Sequence, residues 1–194
     1  MRITLARHYT VDFRFQRFGN AAAFNCDMGA YDEAGILFPV PARHRRDWTA
    51  CFTSTLNRAI ETGRHLFDGP IRSTPLIDEV PMRAFCATNI PLPLFVWAVA
   101  ARLQWYFQSR RQIEIRRDTI RRAEAFYTRF CVTQPAPSRL LVVSHAFFLY
   151  VFRKVLHARG FQGPRFLKMK NGQMIDYEGP VGLGENKSER RPRR

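Results

Sequence analysis

The sequence has few acidic residues, no closely spaced cysteines and no long uncharged run, and each of these features argues against some classes of protein. Its 194 residues include 16 Asp and Glu against 31 Lys and Arg, which gives a formal net charge of +15. Such a balance favours anionic partners, whether phosphorylated small molecules, nucleic acid or acidic lipid surfaces, without choosing among them. The sequence also lacks an internal repeat, a glycine-rich nucleotide loop and a His-x-x-x-His spacing. We therefore expect neither a cofactor nor a metal site.

The cysteines and the apolar segments favour a cytoplasmic protein. Its four cysteines are scattered with no Cys-x-x-Cys pair, which is typical of reduced thiols. Four uncharged residues separate Arg2 from Arg7, so we expect no signal peptide. The most apolar segment, residues 91–107, is interrupted by Arg102 and Gln104 and falls short of the ~20 apolar residues that span a bilayer. This segment predicts a buried or partly exposed helix and no membrane span.

Short apolar runs alternate with longer segments of helical period, which is typical of an α/β fold. Strands are predicted at residues 3–7, 51–53, 71–76 and 140–144, helices at residues 56–67, 91–107, 113–130 and 146–159, and a hairpin turn at residues 170–173. Hydrophobic residues make up 46% of the chain, enough for one sizeable core. We expect a single domain over residues 1–184 and a flexible basic tail over residues 185–194.

Two of the predicted strands end on a histidine. The first run closes on Arg7 and His8, and the second closes on Ser144 and His145. In α/β proteins the carboxyl ends of the strands are where ligands bind. Arg58 lies in the first turn of the helix after residues 51–53, at the same predicted edge of the sheet.

These side chains suit a phosphate monoester. Guanidinium groups match phosphate oxygens in two-point hydrogen bonds. A neutral imidazole can attack phosphorus and divide one difficult transfer into two steps through a phosphohistidine. The sequence thus predicts a phosphate site built by Arg7, His8, Arg58 and His145.

The motifs resemble those of the histidine phosphatase superfamily, which includes the cofactor-dependent phosphoglycerate mutases. Leu5-Ala6-Arg7-His8-Tyr9 matches a strand that ends in Arg-His-Gly, except at the glycine. Ser54-Thr55-Leu56-Asn57-Arg58-Ala59-Ile60-Glu61-Thr62 follows the pattern Ser-Pro-Leu-x-Arg-Ala-x-x-Thr. Leu76-Ile77-Asp78-Glu79 supplies the acidic residue that follows, usually after a leucine, and Val142-Val143-Ser144-His145-Ala146 resembles Val-Ser-His-Gly. The four matches occur in the family's order.

The resemblance implies a fold and a role for each site residue. The fold is a three-layer α/β/α arrangement with a mainly parallel central sheet, like that of phosphoglycerate mutase. His8 would be the nucleophile, and Arg7, Arg58 and His145 would bind the phosphate. Glu79 would protonate the leaving oxygen and then activate water, with Asp78 as the alternative acid.

The sequence departs from the family at several positions beside the site. Tyr9 and Ala146 replace glycines, and Thr10 stands where many members carry Glu. Arg14 takes the place of a common phosphate-contacting Asn, so we expect a third guanidinium at the ligand. Each of these departures could narrow or reshape the pocket.

The function that the resemblance implies is a metal-independent phosphatase acting on a phosphorylated small molecule or a phosphoprotein. A phosphoglycerate mutase-like phosphotransferase is the enzymatic alternative. A third possibility is an inactive basic relative that binds phosphate or nucleic acid, the nucleic acid through the arginines of residues 110–129 and the basic tail. Nucleic acid is disfavoured because no base-stacking motif accompanies those arginines. The oligomeric state is left open by the sequence.

Overall fold

The protein is described by a computed structural model that covers residues 1–38, 40, 46–166 and 168–180. The strands are β1 (Arg2–Arg7), β2 (Phe18–Gly19), β3 (Ala50–Thr53), β4 (Ile71–Ser73), β5 (Leu92–Pro93), β6 (Arg139–Ser144) and β7 (Met174–Glu178). The helices are α1 (Ala21–Glu33), α2 (Asn57–Leu66), α3 (Leu94–Tyr106), α4 (Arg116–Phe126) and α5 (Ala146–Ala158). The predicted tail, residues 185–194, lies outside the described residues.

Five strands form one mainly parallel sheet in the order β4-β3-β6-β1-β7. β6 lies between β3 and β1 and is parallel to both, and only the edge strand β7 is antiparallel to its neighbour. The register pairs Arg7 with Ser144. The two strands that are followed by histidines therefore end level with each other, at the carboxyl ends of the parallel strands.

Helices cover both faces of this sheet because its central strands are apolar on both sides. Ile3, Leu5 and Leu140 pack with residues of α4 and α5. The next residues along the strands, including Ala6 and Leu141, pack on the opposite face with Ala59 of α2 and its neighbours. The predicted three-layer α/β/α fold is thus confirmed.

Several predicted elements differ from those observed. α1 extends through 13 residues and is not among the predicted helices, because no periodic apolar stripe marks it. α4 begins three residues later than predicted and continues as a π-helical turn, Tyr127–Cys131. The predicted turn at residues 170–173 is present, with the Gln173 N–H donating to the Lys170 carbonyl oxygen at 3.1 Å. It does not join the strands of a hairpin, because residues 168–170 form no strand and β7 pairs with β1. None of the described helices is long and apolar enough to cross a membrane.

Candidate active site

His8 follows β1 directly and is almost fully buried, with 2% of its surface exposed. Its Nδ1 lies 2.6 Å from the backbone oxygen of Tyr9. A carbonyl oxygen can only accept, so Nδ1 carries the proton and Nε2 keeps its lone pair. Burial, together with the charges of Arg58 and Arg7, lowers the pKa of His8 to about 3, although the Tyr9 hydrogen bond opposes this shift. The imidazole is therefore a neutral base with one free nitrogen.

Tyr9 does not crowd this imidazole, because its own side chain points into the core on the α2 side of the sheet. Its backbone N–H donates to Thr62 Oγ1 at 3.0 Å. Gly172 makes room for the ring: a Cβ there would stand 3.0 Å from Tyr9 Cδ1, and the residue has a φ of +71°. A glycine at position 172 thus accommodates the tyrosine that replaces the family glycine.

Arg58 is fully buried at the start of α2 and is held by α1. Its Nη1 donates to the carbonyl oxygens of Tyr31 (2.9 Å) and Asp32 (3.2 Å) at the end of α1. Its Nη2 donates to Asp32 Oδ1 at 2.9 Å, and the guanidinium lies over the Tyr31 ring, 4.5 Å from its centre. Since a guanidinium has five N–H groups, one N–H of Nη2 remains for a ligand.

His145 connects Arg58 to the loop that carries the acidic pair. Arg58 Nε donates to His145 Nδ1 at 3.3 Å, so the imidazole proton is on Nε2. That nitrogen lies 2.8 Å from Ser54 Oγ, which in turn donates to Asp78 Oδ1 at 2.7 Å. Burial, with His8 and Arg58 nearby, lowers the pKa of His145 well below its usual value. The rings of His8 and His145 lie 5.0 Å apart.

Asp78 and Glu79 have different surroundings, which separates the two candidate acids. Besides Ser54, Asp78 accepts from the backbone N–H of Thr55 (2.7 Å) and from its hydroxyl (2.6 Å). Both oxygens of Asp78 are thus engaged by the segment before α2. Ser54 and Thr55 thus bind Asp78 and do not cap α2, whose N-cap residue is Leu56.

Glu79 lies at the N-terminus of α5. Its Oε1 accepts from the backbone N–H groups of Val80 (2.9 Å) and Phe148 (3.0 Å). Oε2 has only a long contact, 3.4 Å, with the N–H of Phe147. Oε2 is therefore the carboxylate oxygen that can still donate or accept a proton.

Two arginines fix the loop that carries Asp78 and Glu79. Arg122 Nη1 donates to the carbonyl oxygen of Asp78 at 2.7 Å, and Arg102 Nη1 donates to that of Val80 at 3.0 Å. Arg102 also lies over the ring of Phe147, 3.9 Å from its centre. These contacts position the acidic pair from the α3 and α4 side.

Arg7 lies at the end of β1, beside a loop that precedes β7. Its Nη1 donates to the carbonyl oxygen of Met169 at 2.7 Å. Its Nε is buried without a partner in the described part of the chain. Asn171 Nδ2 from the same loop donates to Tyr9 O at 2.9 Å, the oxygen that holds His8. The orphaned Nε of Arg7 is a donor that an anion could satisfy.

The structure brings most of the sequence-predicted site residues together. His8, Arg58 and His145 are linked by ring contact and hydrogen bonds, and Arg7 lies close enough to lower the pKa of His8. Arg14 is not joined to them: it is exposed and makes no hydrogen bond or ion pair with any described residue. A phosphate contact by Arg14 stays a prediction.

Arg14→Ala tests that remaining guanidinium. If Arg14 holds a second anionic group of the substrate, the substitution should raise KM for that substrate by up to about fivefold, the value of an exposed ion pair. KM for a minimal aryl phosphate should hardly change. Steady-state kinetics on both substrates measure this, and equal changes would assign Arg14 to the transferred phosphate or to solvent.

Tyr31, Asp32 and Asn171 are site residues that the sequence did not indicate. Asp32 is half-exposed and ion-paired with Arg58, and burial raises its pKa. Tyr31 and Asp32 belong to α1, whose extent the sequence missed. The Asn-Gly turn at Asn171 was recognised, but only as a local turn, since its contact with Tyr9 spans 162 positions of the chain.

The comparisons with known proteins find the fold but no close sequence relative. No protein-family model and no curated protein matches the sequence. A candidate alpha-ribazole-5'-phosphate phosphatase from Escherichia coli matches with 17% identity and a TM-score of 0.56, over 93% of this chain and 96% of its own. A mycobacterial glucosyl-3-phosphoglycerate phosphatase bound to VO3 matches with 15% identity and a TM-score of 0.58, over 90% of each chain.

A third solved structure is a mutant phosphoserine phosphatase from Entamoeba histolytica in complex with phosphoserine. It is 10% identical, with a TM-score of 0.54, over 90% of this chain and 89% of its own. The resemblance read from the four motifs is therefore confirmed at the level of the fold.

Proposed function

Because this chain has the fold of the histidine phosphatase superfamily, we propose that it is a phosphatase that hydrolyses a phosphomonoester through a phosphohistidine on His8. The observation that carries the proposal is the state of that imidazole. Nδ1–H is held by the Tyr9 carbonyl, Nε2 keeps its lone pair, and the low pKa of His8 keeps the ring neutral. An attacking histidine needs this arrangement.

In the first step, His8 Nε2 attacks phosphorus in line with the leaving oxygen. The N–P bond forms as the P–O bond to the leaving group breaks, and Glu79 Oε2 gives the leaving oxygen a proton. Arg7 and Arg58 balance the charge on the equatorial phosphate oxygens. His145 joins them by turning its Nε2–H from Ser54 to a phosphate oxygen.

In the second step, water attacks the phosphohistidine. Glu79, now ionised, accepts a proton from the water as the new O–P bond forms. The N–P bond breaks, its electron pair returns to His8 Nε2, and inorganic phosphate leaves. His8 and Glu79 are then as they began, so the cycle needs no further reactant.

The proposal is tested by the class of ester that turns over. With a metal chelator present, nitrophenyl phosphate should release nitrophenolate at a rate proportional to enzyme concentration. Bis(nitrophenyl) phosphate, a diester with the same leaving group, should react at least about a hundredfold more slowly, because it offers one anionic oxygen fewer to Arg7 and Arg58. Comparable hydrolysis of both esters, or of neither, would contradict the proposal.

Glu79→Gln tests the proton donor. An alkoxide leaves poorly without a proton, so we expect a loss of roughly 10²–10⁴-fold in kcat for an alkyl phosphate. Nitrophenolate needs little protonation, and its release should slow far less. The matched control is Asp78→Asn, which should affect the two substrates alike because Asp78 binds Ser54 and Thr55. A leaving-group effect in the Asp78 variant instead would move the acid role to Asp78.

A further inference from the structure

The outer face of α3 is an unusual surface, because it is both apolar and exposed. Five large side chains here are more than half exposed: Phe95 (68%), Val99 (55%), Leu103 (52%), Tyr106 (52%) and Phe107 (74%). Their spacing places them on one side of the helix. We call these five residues the α3 patch. The opposite side of α3 is buried through Trp97, Ala101 and Trp105.

No charged side chain interrupts the α3 patch. Arg102 is the one charged residue of α3, and its guanidinium is turned toward Phe147 and the carbonyl oxygen of Val80. With ~200 Å² for each whole aromatic side chain, the exposed apolar area is on the order of 500 Å². That is near the upper end of what a monomeric protein leaves in water, and patches of this size are often functional.

The segment that follows α3 is strongly basic. Residues 107–117 include four arginines and one glutamate. That glutamate, Glu114, is bound to Arg122 at 3.1 Å. Arg116 lies over the ring of Tyr106, 4.9 Å from its centre, which places a guanidinium at the margin of the α3 patch. Arg110 and Arg111 are exposed and form no ion pair with any residue that the structure describes.

We propose that the α3 patch docks on the surface of an anionic lipid bilayer. The apolar side chains enter the boundary between headgroups and acyl chains, and the arginines of residues 107–117 bind lipid phosphates. Helices that bind to the surface of anionic membranes have such an apolar face bordered by arginines. α3 has 13 residues, so it lies on the bilayer and does not cross it.

A second copy of the chain fits the α3 patch less well. A stable protein interface buries ~800 Å² on each partner, more than the patch offers. Two copies joined here would also bring arginine-rich margins together, and the first turn of α3 carries no acidic residue to meet them. Like charges at an interface are unfavourable. Anionic lipid removes this repulsion.

Vesicle co-sedimentation of the full chain tests the proposal. We expect binding to mixed phosphatidylcholine–phosphatidylglycerol vesicles, weakening with added salt, and little binding to phosphatidylcholine alone. Leu103→Glu should weaken binding at least about tenfold. Arg110→Gln should weaken it about fivefold, as expected for one arginine near the surface. Val132→Glu is the matched control, since Val132 is 55% exposed outside the patch, and it should bind like wild type.

Further measurements distinguish a lipid surface from a second copy of the chain as the partner of the α3 patch. Leu103 is half-exposed and outside the active site, so Leu103→Glu should keep the wild-type melting temperature and hydrolysis of nitrophenyl phosphate. No binding to anionic vesicles, or equal loss in the Leu103 and Val132 variants, would overturn the proposal. A wild-type dimer that Leu103→Glu converts to a monomer in analytical ultracentrifugation would overturn it as well, in favour of a second copy.

Discussion

His8→Ala should reduce turnover of every phosphomonoester to below about one per cent of wild type, because it removes the imidazole nitrogen that attacks phosphorus in the proposed mechanism. Arg7 and Arg58 remain, so the variant should still bind inorganic phosphate. Steady-state kinetics and a phosphate-binding titration measure the two properties separately. The expected pattern is loss of kcat with phosphate affinity largely retained.

A control and a stability measurement keep this result interpretable. His157→Ala removes another histidine, which contacts the carbonyl oxygen of Phe161 at the end of α5, and should leave turnover unchanged. Thermal unfolding of the His8 variant distinguishes chemistry from misfolding, since the imidazole is buried. More than a few per cent of wild-type activity in folded His8→Ala protein would mean that the nucleophile is another group.

Arg58→Met should lose roughly 10²–10³-fold in kcat/KM, the cost of removing a charged donor from the phosphate site. The variant should be less stable than wild type but should still fold. Methionine fills most of the volume, and Asp32 is half-exposed and can return to water when its partner is gone. The carbonyl oxygens of Tyr31 and Asp32 lose their donor in this variant, which is the source of the expected loss of stability.

Arg58→Ala separates charge from packing at the same position. It should lose the same activity as Arg58→Met but unfold at a lower temperature. Both variants leave the carbonyl oxygens of Tyr31 and Asp32 without their donor, and only alanine also leaves a cavity. Arg64→Met, an exposed arginine on the same helix, should change neither quantity. Wild-type activity in folded Arg58→Met protein would show that Arg58 is a structural residue.

The sequence predicted those parts of the site whose signal lies in a short continuous segment. β1 and β6 are apolar runs ending on histidines, and their parallel pairing follows from the α/β pattern. Arg58 was placed correctly because its helix has a clear apolar period. Each of these signals is local, so the relative position of His8 and His145 followed once the fold class was known.

The rest depends on contacts between distant segments. Asp32 reaches Arg58 from a helix with no amphipathic stripe, so neither its helix nor its partner could be predicted. β7 was read as half of a hairpin because Asn171-Gly172 is a typical hairpin turn. The residues before that turn instead serve the site, where the Met169 carbonyl binds Arg7 and the Asn171 side chain binds the Tyr9 carbonyl. The residue types of a turn do not show which distant residues the turn contacts.

The phosphoenzyme itself is the most direct test of the central claim. Enzyme quenched during turnover of radiolabelled phosphomonoester should carry label on the peptide that contains His8, and the label should be lost in acid and retained in base. Ser54 and Thr55 lie in the same site, and their hydroxyls are the natural alternative nucleophiles. Label that survives acid and is released by base, on the peptide that contains Ser54, would contradict the phosphohistidine mechanism.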